Sequence, residues 1–198
     1  ARTHKICQDY ARVGRILGKS YAIISDGCSS SPDTDIGARV LTLAAANSLQ
    51  SAMCSGVLTA AGVIEKARNA LFTSPWTPLL ETCLDATLLV AYEVPNGVVV
   101  SVAGDGVVVG RKRNAETCLV YDFDCSNAPS YLTYLTNCER MTAYLQQFGK
   151  RTITSSRFEP SSGNNTVISR HTENPFTGET DYALSLIHIS EPTRQAEI

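Results

Sequence analysis

The chain has 198 residues, an apolar fraction of 43% and a formal net charge of −2. This length and composition suit a single domain with a substantial hydrophobic core. This net charge gives no basic surface that would indicate a nucleic-acid partner. The longest basic cluster, Arg111-Lys112-Arg113, is interpreted as a solvated turn. No apolar run is long enough to cross a bilayer and the first residues show no signal-peptide pattern, so no membrane partner is expected.

The chain contains seven cysteines, and no two of them are spaced as in a C-x-x-C zinc or redox motif. Several lie in apolar runs, where a thiol is usually a small buried hydrophobic group. We therefore expect free thiols and a reducing, cytoplasmic compartment.

The first half of the chain predicts one extended region followed by two helices. In chain order we expect an extended segment (3–10), a turn (12–19), a buried strand (21–25), a loop (27–34) and helices at 35–53 and 57–72. Gly14 and Gly18 favour the turn. The strand is short, apolar and partly β-branched, whereas both helical segments have apolar residues at helical spacing.

The second half predicts short strands joined by tight turns. We expect strands at 86–94, 98–103, 107–110, 118–123, 152–156, 166–169 and 182–184, a loop at 126–137 and a helix at 139–148. Asn96-Gly97 between two apolar runs is a strong hairpin signal. Strands joined in this way are antiparallel, so the predicted class is α+β, with helices packed on antiparallel sheet.

Several familiar motifs are imitated but not matched. The segment 14–20 resembles a phosphate-binding loop, but its glycines are separated by three residues where such a loop needs four, and it precedes a strand. The segment 104–110 lacks the spacing of a dinucleotide fingerprint and the helix that should follow. No serine lies in a G-x-S-x-G elbow, so no serine-hydrolase triad is predicted.

Three aspartates lie at the ends of predicted strands. Asp9 ends the extended segment, Asp26 ends the buried strand, and Asp105 stands between two glycines after a later strand. Carboxylate and carbonyl oxygens are the ligands that Mg²⁺ and Mn²⁺ prefer. Gly27 allows its own carbonyl to turn toward an ion held by Asp26. Any single Asp-Gly is more often only a turn, but the series predicts a divalent-metal site.

Four segments in order carry a family resemblance: HKICQDYA (4–11), ISDGCSS (24–30), DATLL (85–89) and VAGDG (102–106). Together they resemble the metal-dependent serine/threonine protein phosphatases of type 2C, the PPM family, in a divergent, bacterial-type branch. The resemblance covers most of residues 3–184. It implies a four-layer αββα sandwich, in which two antiparallel sheets are flanked by helices. It also implies hydrolysis of phosphoserine and phosphothreonine on a phosphorylated protein substrate.

The resemblance assigns metal-binding roles to particular residues. It implies two Mn²⁺ or Mg²⁺ ions, with Asp26 bridging both and the Gly27 carbonyl binding one. It implies that Asp9 holds water at the metals and that Asp105 helps a third, weaker ion. His4 stands where many members have a phosphate-gripping arginine, so it is a candidate phosphate contact.

The chain departs from the family pattern at the first motif. Gln8 is neutral where the family has an acidic residue, so Asp9 alone must supply the carboxylate there. We therefore expect the second ion to be held less tightly than in other members.

The last residues introduce a second departure. Residues 184–198 resemble the translation of a transposase-type sequencing adapter, which predicts a phosphatase domain at 1–183 followed by a non-native read-through tail; an ordinary C-terminal strand and loop is the alternative. The family fold uses two further aspartates, and no aspartate follows Asp181. We therefore expect an incomplete domain that cannot bind both metal ions of the dinuclear centre properly, and an inactive 198-residue chain.

Two other interpretations remain open at the level of sequence. The first is a non-catalytic, phosphatase-like module that binds a phosphoprotein or a regulator, which the Gln8 departure and the missing ligands favour. The second is an α+β domain whose turn aspartates coincide by chance. Retention of Asp9, Asp26 and Asp105 favours the enzyme. The sequence indicates no oligomeric state.

Overall fold

The structure is a computed structural model that describes residues 7–55, 58–72, 80–95, 97–111, 115–176 and 184–187. Its strands are β1 (Tyr10–Ile16), β2 (Lys19–Ser25), β3 (Leu88–Val94), β4 (Gly97–Ala103), β5 (Gly106–Gly110), β6 (Cys118–Asp124), β7 (Arg151–Glu159), β8 (Asn164–Glu173) and β9 (Leu184–Ile187). Its helices are α1 (Thr34–Ser55), α2 (Ala60–Phe72) and α3 (Cys138–Gln147), with 3₁₀ helices at Glu81–Leu84 and Leu132–Thr136.

The strands form two antiparallel sheets. The first sheet has the order β1-β2-β3-β4-β9, and the second has the order β5-β6-β7-β8. Neighbouring strands in each sheet run antiparallel. The predicted α+β class, with a sandwich of two antiparallel sheets, is confirmed.

The first sheet is covered by α1 and α2 on one face and by the second sheet on the other. Along β3, Leu88, Val90 and Tyr92 are buried in the core that includes both helices. The residues between them, Leu89 and Ala91, pack against the core between the sheets. Since side chains alternate along a strand, one segment supplies both cores.

The core between the sheets is built mainly from β4, β6 and β7. Its buried members are Val100, Val102, Tyr121, Phe123 and Ile153. On the outer face of the second sheet, the side chains of β5 are more than half exposed at Val107 (55%) and Val109 (62%). The helices in the described part of the chain leave this face open, so a helix layer on it stays a prediction.

The predicted turn at 12–19 is wrong. Residues 10–16 form β1, which pairs along its length with β2, and the turn is limited to Leu17 and Gly18. Both turn residues have positive φ, 52° and 78°, as a two-residue hairpin turn requires. Gly14 lies inside the strand, where a Cβ would be 2.7 Å from the Tyr21 hydroxyl. The glycine therefore permits close packing of Tyr21 rather than a turn.

The predicted strands between residues 86 and 169 and the three predicted helices are present with shifted ends, and the loop at 126–137 contains the 3₁₀ helix Leu132–Thr136. Residues 3–6 of the predicted extended segment 3–10 and residues 182–183 of the last predicted strand lie outside the described residues. Residues Leu184–Ile187 pair with β4 at the edge of the first sheet. Residues 188–198 lie outside the described residues, so the division of the chain at residue 184 stays a prediction. No helix in the described ranges is long and apolar enough to cross a membrane.

Candidate metal centre

The predicted ligands meet at one end of the sandwich because of strand register. Tyr10 pairs with Ser25 at the end of the β1–β2 ladder, so Asp9, just before β1, and Asp26, just after β2, lie across from each other at that end. Asp105 lies in the turn between β4 and β5. All three aspartates line one cleft of about 510 Å³.

The cleft has an acidic floor and a neutral wall. Gly27 lies on the floor with the aspartates, while Asn127, Pro129 and Tyr131 line it from the loop after β6. Asn127 has a left-handed backbone with φ 63°. No lysine or arginine within the described residues lines the cleft. The arrangement favours a cationic occupant at the floor.

The electrostatics of Asp26 report this crowding of carboxylates. Its pKa is raised from 3.8 to about 6, first because burial penalises the charged form. The next causes are a hydrogen bond between the Asp9 and Asp26 carboxyl groups and the repulsion of the Asp26 carboxylate by the negative charge of Asp9. The charge of Asp105 raises the pKa further. A divalent cation would replace this repulsion with attraction. The donor set is composed of hard oxygen atoms, which fits Mg²⁺ or Mn²⁺.

The side chains alone make only a partial ligand set. Across the ranges that the structure describes, no group of three or more His, Cys, Asp or Glu side chains is arranged to hold a metal ion. A cation here would also need backbone carbonyl oxygens and water, both of which Mg²⁺ accepts readily.

The direction of Asp26 is set by Thr87. The Thr87 hydroxyl accepts a hydrogen bond from the Asp26 N–H at 3.1 Å, and the Thr87 N–H donates to the Asp26 carbonyl at 2.9 Å. The Ser25 hydroxyl donates to the Thr87 carbonyl at 2.7 Å. Three hydrogen bonds therefore fix the backbone from which the Asp26 carboxylate projects.

Close packing requires glycine at position 27. A Cβ there would lie 2.9 Å from both the Gln8 carbonyl and the Thr34 side chain, and Gly27 forms a β-bridge with Ala86. The Gln8 amide donates to the Thr34 hydroxyl at 2.7 Å. The Gln8 side chain is thus hydrogen-bonded to Thr34, the first residue of α1. This bond explains how a neutral residue fits beside Asp9.

The turn that carries Asp105 is held by Arg151 of β7. The Arg151 guanidinium donates to the carbonyls of Val102 and Gly104 at 3.0 and 3.1 Å. Its Nε also donates to Glu173 at 3.1 Å, and the side chain is 1% exposed. Because Gly104 immediately precedes Asp105, the second sheet fixes this ligand candidate through a buried arginine.

Comparison with known families agrees with this geometry. A family model described as Protein phosphatase 2C matches residues 1–153, well over half of the chain. The chain belongs to the protein phosphatase 2C family. No curated protein and no solved structure matches it.

Within this phosphatase 2C chain, the structure brings together Asp9, Asp26, Gly27 and Asp105, while their metal-binding roles stay predictions. His4 lies outside the described residues. Sequence reasoning assigned no role to Thr87, although it belongs to the DATLL motif at 85–89. Arg151 was missed altogether, because a lone arginine at a strand start has no local signal that it will be buried.

Proposed function

We propose that the site hydrolyses phosphoserine and phosphothreonine on proteins with the help of two Mn²⁺ or Mg²⁺ ions. The observation that carries the proposal is the meeting of Asp9, Asp26 and Asp105 in one cleft of a phosphatase 2C chain. All seven cysteines are free thiols, so we place the reaction in a reducing, cytoplasmic compartment.

In this proposal the Asp26 carboxylate and the Gly27 carbonyl would hold the two metal ions. Asp9 would orient water near them, and Asp105 would contribute to a third, weaker site. When bound, divalent cations make water nucleophilic near neutral pH and neutralise phosphoryl oxygens. Thr87 keeps Asp26 aligned, and the neutral wall at Asn127 and Tyr131 offers hydrogen bonds to the phosphorylated segment.

A non-catalytic module is the second candidate. The Gln8 amide is bonded to Thr34, so the first motif presents one carboxylate rather than two. The described side chains also form no three-membered ligand cluster. Such a module would bind a phosphoprotein or regulator in the same cleft without turnover.

Thermal unfolding in a Mn²⁺ titration tests the metal centre without relying on activity. A ligand that binds the folded state raises Tm, so we expect Mn²⁺ to raise the Tm of the wild-type chain but not that of Asp26→Asn. Asp122→Asn is the matched control, because Asp122 is an exposed residue of β6. A wild-type Tm that does not respond to Mn²⁺ would refute the metal centre.

Phosphate release from a phosphothreonine peptide separates the enzyme from the module. We expect the 198-residue chain to bind the peptide only with Mn²⁺ and intact Asp26, and to turn it over little. Mn²⁺-dependent release that is lost in Asp26→Asn would show the expected inactivity to be wrong and establish hydrolysis directly. Peptide binding that needs neither Mn²⁺ nor Asp26 would favour the module.

A further inference from the structure

We infer that Asp85 and Arg140 are positioning residues that hold the segment 27–31, which forms one side of the cleft, against the wall that carries Tyr131. The consequence for metal binding rests on the proposed function. The mechanical coupling itself rests only on contacts among the described residues. Asp85 opens the DATLL motif, and its side chain has no role in the fold or in the metal centre as described above.

The Asp85 carboxylate joins three separate elements. It accepts hydrogen bonds from the Ser31 hydroxyl at 3.0 Å, from the Thr133 hydroxyl at 2.6 Å and from the Arg140 guanidinium at 2.8 Å. These donors belong to the loop after Gly27, to the 3₁₀ helix Leu132–Thr136 and to α3. The carboxylate is 4% exposed. A buried charge with this many donors is stable only while all of the elements stay in place.

The backbone of Asp85 is tied to the same loop. Its carbonyl accepts a hydrogen bond from the Cys28 N–H at 2.8 Å. The next residue, Ala86, forms the β-bridge with Gly27. Asp85 is therefore bonded to both ends of the segment 27–31. Its carbonyl accepts from the N–H of Cys28, and its carboxylate accepts from the hydroxyl of Ser31.

Arg140 connects Asp85 to the wall of the cleft. Its guanidinium lies 4.7 Å from the centre of the Tyr134 ring, and Tyr134 packs on Tyr131 with ring centres 5.9 Å apart. Its backbone N–H is bonded to the Asn137 side chain that caps α3. The Asp85–Arg140 ion pair thus links the segment 27–31 to Tyr131, which lines the cleft.

A buried ion pair adds little net stability over apolar packing, because desolvation offsets the attraction. Its effect here is to specify how two sides of the cleft are arranged. This effect is separable from general stability, since loosening the pair should change the 27–31 segment more than the distant second sheet.

Three substitutions and one control test the pair. Arg140→Met removes the donors but keeps an apolar stem, Asp85→Asn removes the charge, and Arg140→Lys is the conservative variant. Arg68→Met is the matched control, because Arg68 on α2 also forms an ion pair with a carboxylate of the adjoining 3₁₀ helix, Glu81, at 3.0 Å, and its side chain is 40% exposed. Arg140 is 30% exposed, so its replacement should leave a folded chain.

The readouts are amide hydrogen exchange in residues 27–31 and the Mn²⁺ concentration that gives half of the Tm shift. We expect Arg140→Met and Asp85→Asn to accelerate exchange there and to raise that concentration about tenfold, as loss of an outer-shell partner does. Arg140→Lys should recover part of both effects, and Arg68→Met should show neither.

Two results would overturn the inference. If Arg140→Met lowers Tm but leaves exchange in 27–31 and the Mn²⁺ midpoint at wild-type values, the pair is merely structural. If Arg68→Met reproduces both effects, the coupling is not specific to Asp85. Should the wild-type chain show no Mn²⁺ response, the proposed function fails, and the exchange comparison still decides whether the pair positions the loop.

Discussion

The N–H of Asp26 donates to the hydroxyl of Thr87 at 3.1 Å, and the N–H of Thr87 donates to the carbonyl of Asp26 at 2.9 Å. This reciprocal pair joins the end of β2 to the residue before β3. It sets the direction of the carboxylate on which the proposed centre depends. Changes at Thr87 should therefore affect metal binding as well as stability.

Thr87→Val keeps the shape of the side chain but removes the acceptor for the Asp26 N–H. Leaving that partly buried donor unsatisfied should lower the free energy of unfolding by about 1–3 kcal/mol and raise the Mn²⁺ concentration needed for the Tm shift. Urea unfolding and a Mn²⁺ titration measure the two effects. Thr87→Ser retains the hydroxyl and is the control; equal behaviour of the two variants would contradict the role of the hydrogen bond.

Asp26→Asn should stabilise the metal-free chain at neutral pH. The raised pKa of Asp26, about 6 against 3.8, means that the folded state binds this proton more tightly than the unfolded state. Stability therefore falls as pH rises between these values, and the full penalty is present above about pH 6. Since Asn carries no charge, the variant should have the higher Tm above that pH.

The comparison of Asp26→Asn with the wild type is best made in a chelator, at about pH 3 and at about pH 7. The difference in Tm should shrink at the lower pH, where the wild-type carboxyl is protonated in both states. A constant difference at all pH values would show that the effect is not titration of Asp26.

Glu173→Gln should destabilise the second sheet. The Arg151 guanidinium, which is 1% exposed, is paired with Glu173 at 2.5 Å. Gln keeps an oxygen acceptor but removes the charge that balances the arginine, so we expect a loss of about 1–3 kcal/mol. Urea unfolding measures the loss. Glu116→Gln, at an exposed position, is the control and should change stability by no more than about 0.5 kcal/mol; a similar change in both variants would contradict the buried pair.

Gly37→Ala should disrupt the packing of α1 on the segment that leads to Asp85. A Cβ at Gly37 would lie 1.7 Å from the Cys83 carbonyl, a backbone atom that cannot rotate away, so we expect a loss of about 3 kcal/mol or more. Gly62→Ala in α2 meets only the Thr59 hydroxyl and should change stability by less than about 1 kcal/mol, since alanine favours the helix. Thermal unfolding of both variants checks the contrast.

Local pattern determined much of the fold. The apolar run at β3 indicated a strand, the glycine at position 97 marked its hairpin with β4, and helical spacing indicated α1 and α2. Asp26-Gly27 and Asp105 were also found from local features. In both cases an aspartate follows a predicted strand and precedes a glycine, a pattern that only a few consecutive residues define. These signals need no knowledge of distant parts of the chain.

Tertiary structure alone decided how the site is held. In the sequence Gly14 favours a turn, but in the structure it lies inside β1, where it packs against Tyr21. The register of β1 on β2 places Asp9 beside Asp26. The carboxylate of Asp85 and the guanidinium of Arg151 acquire their roles from partners that lie tens of residues away. Such contacts leave no periodic or spacing signal, because the burial of a polar side chain depends on which elements fold over it.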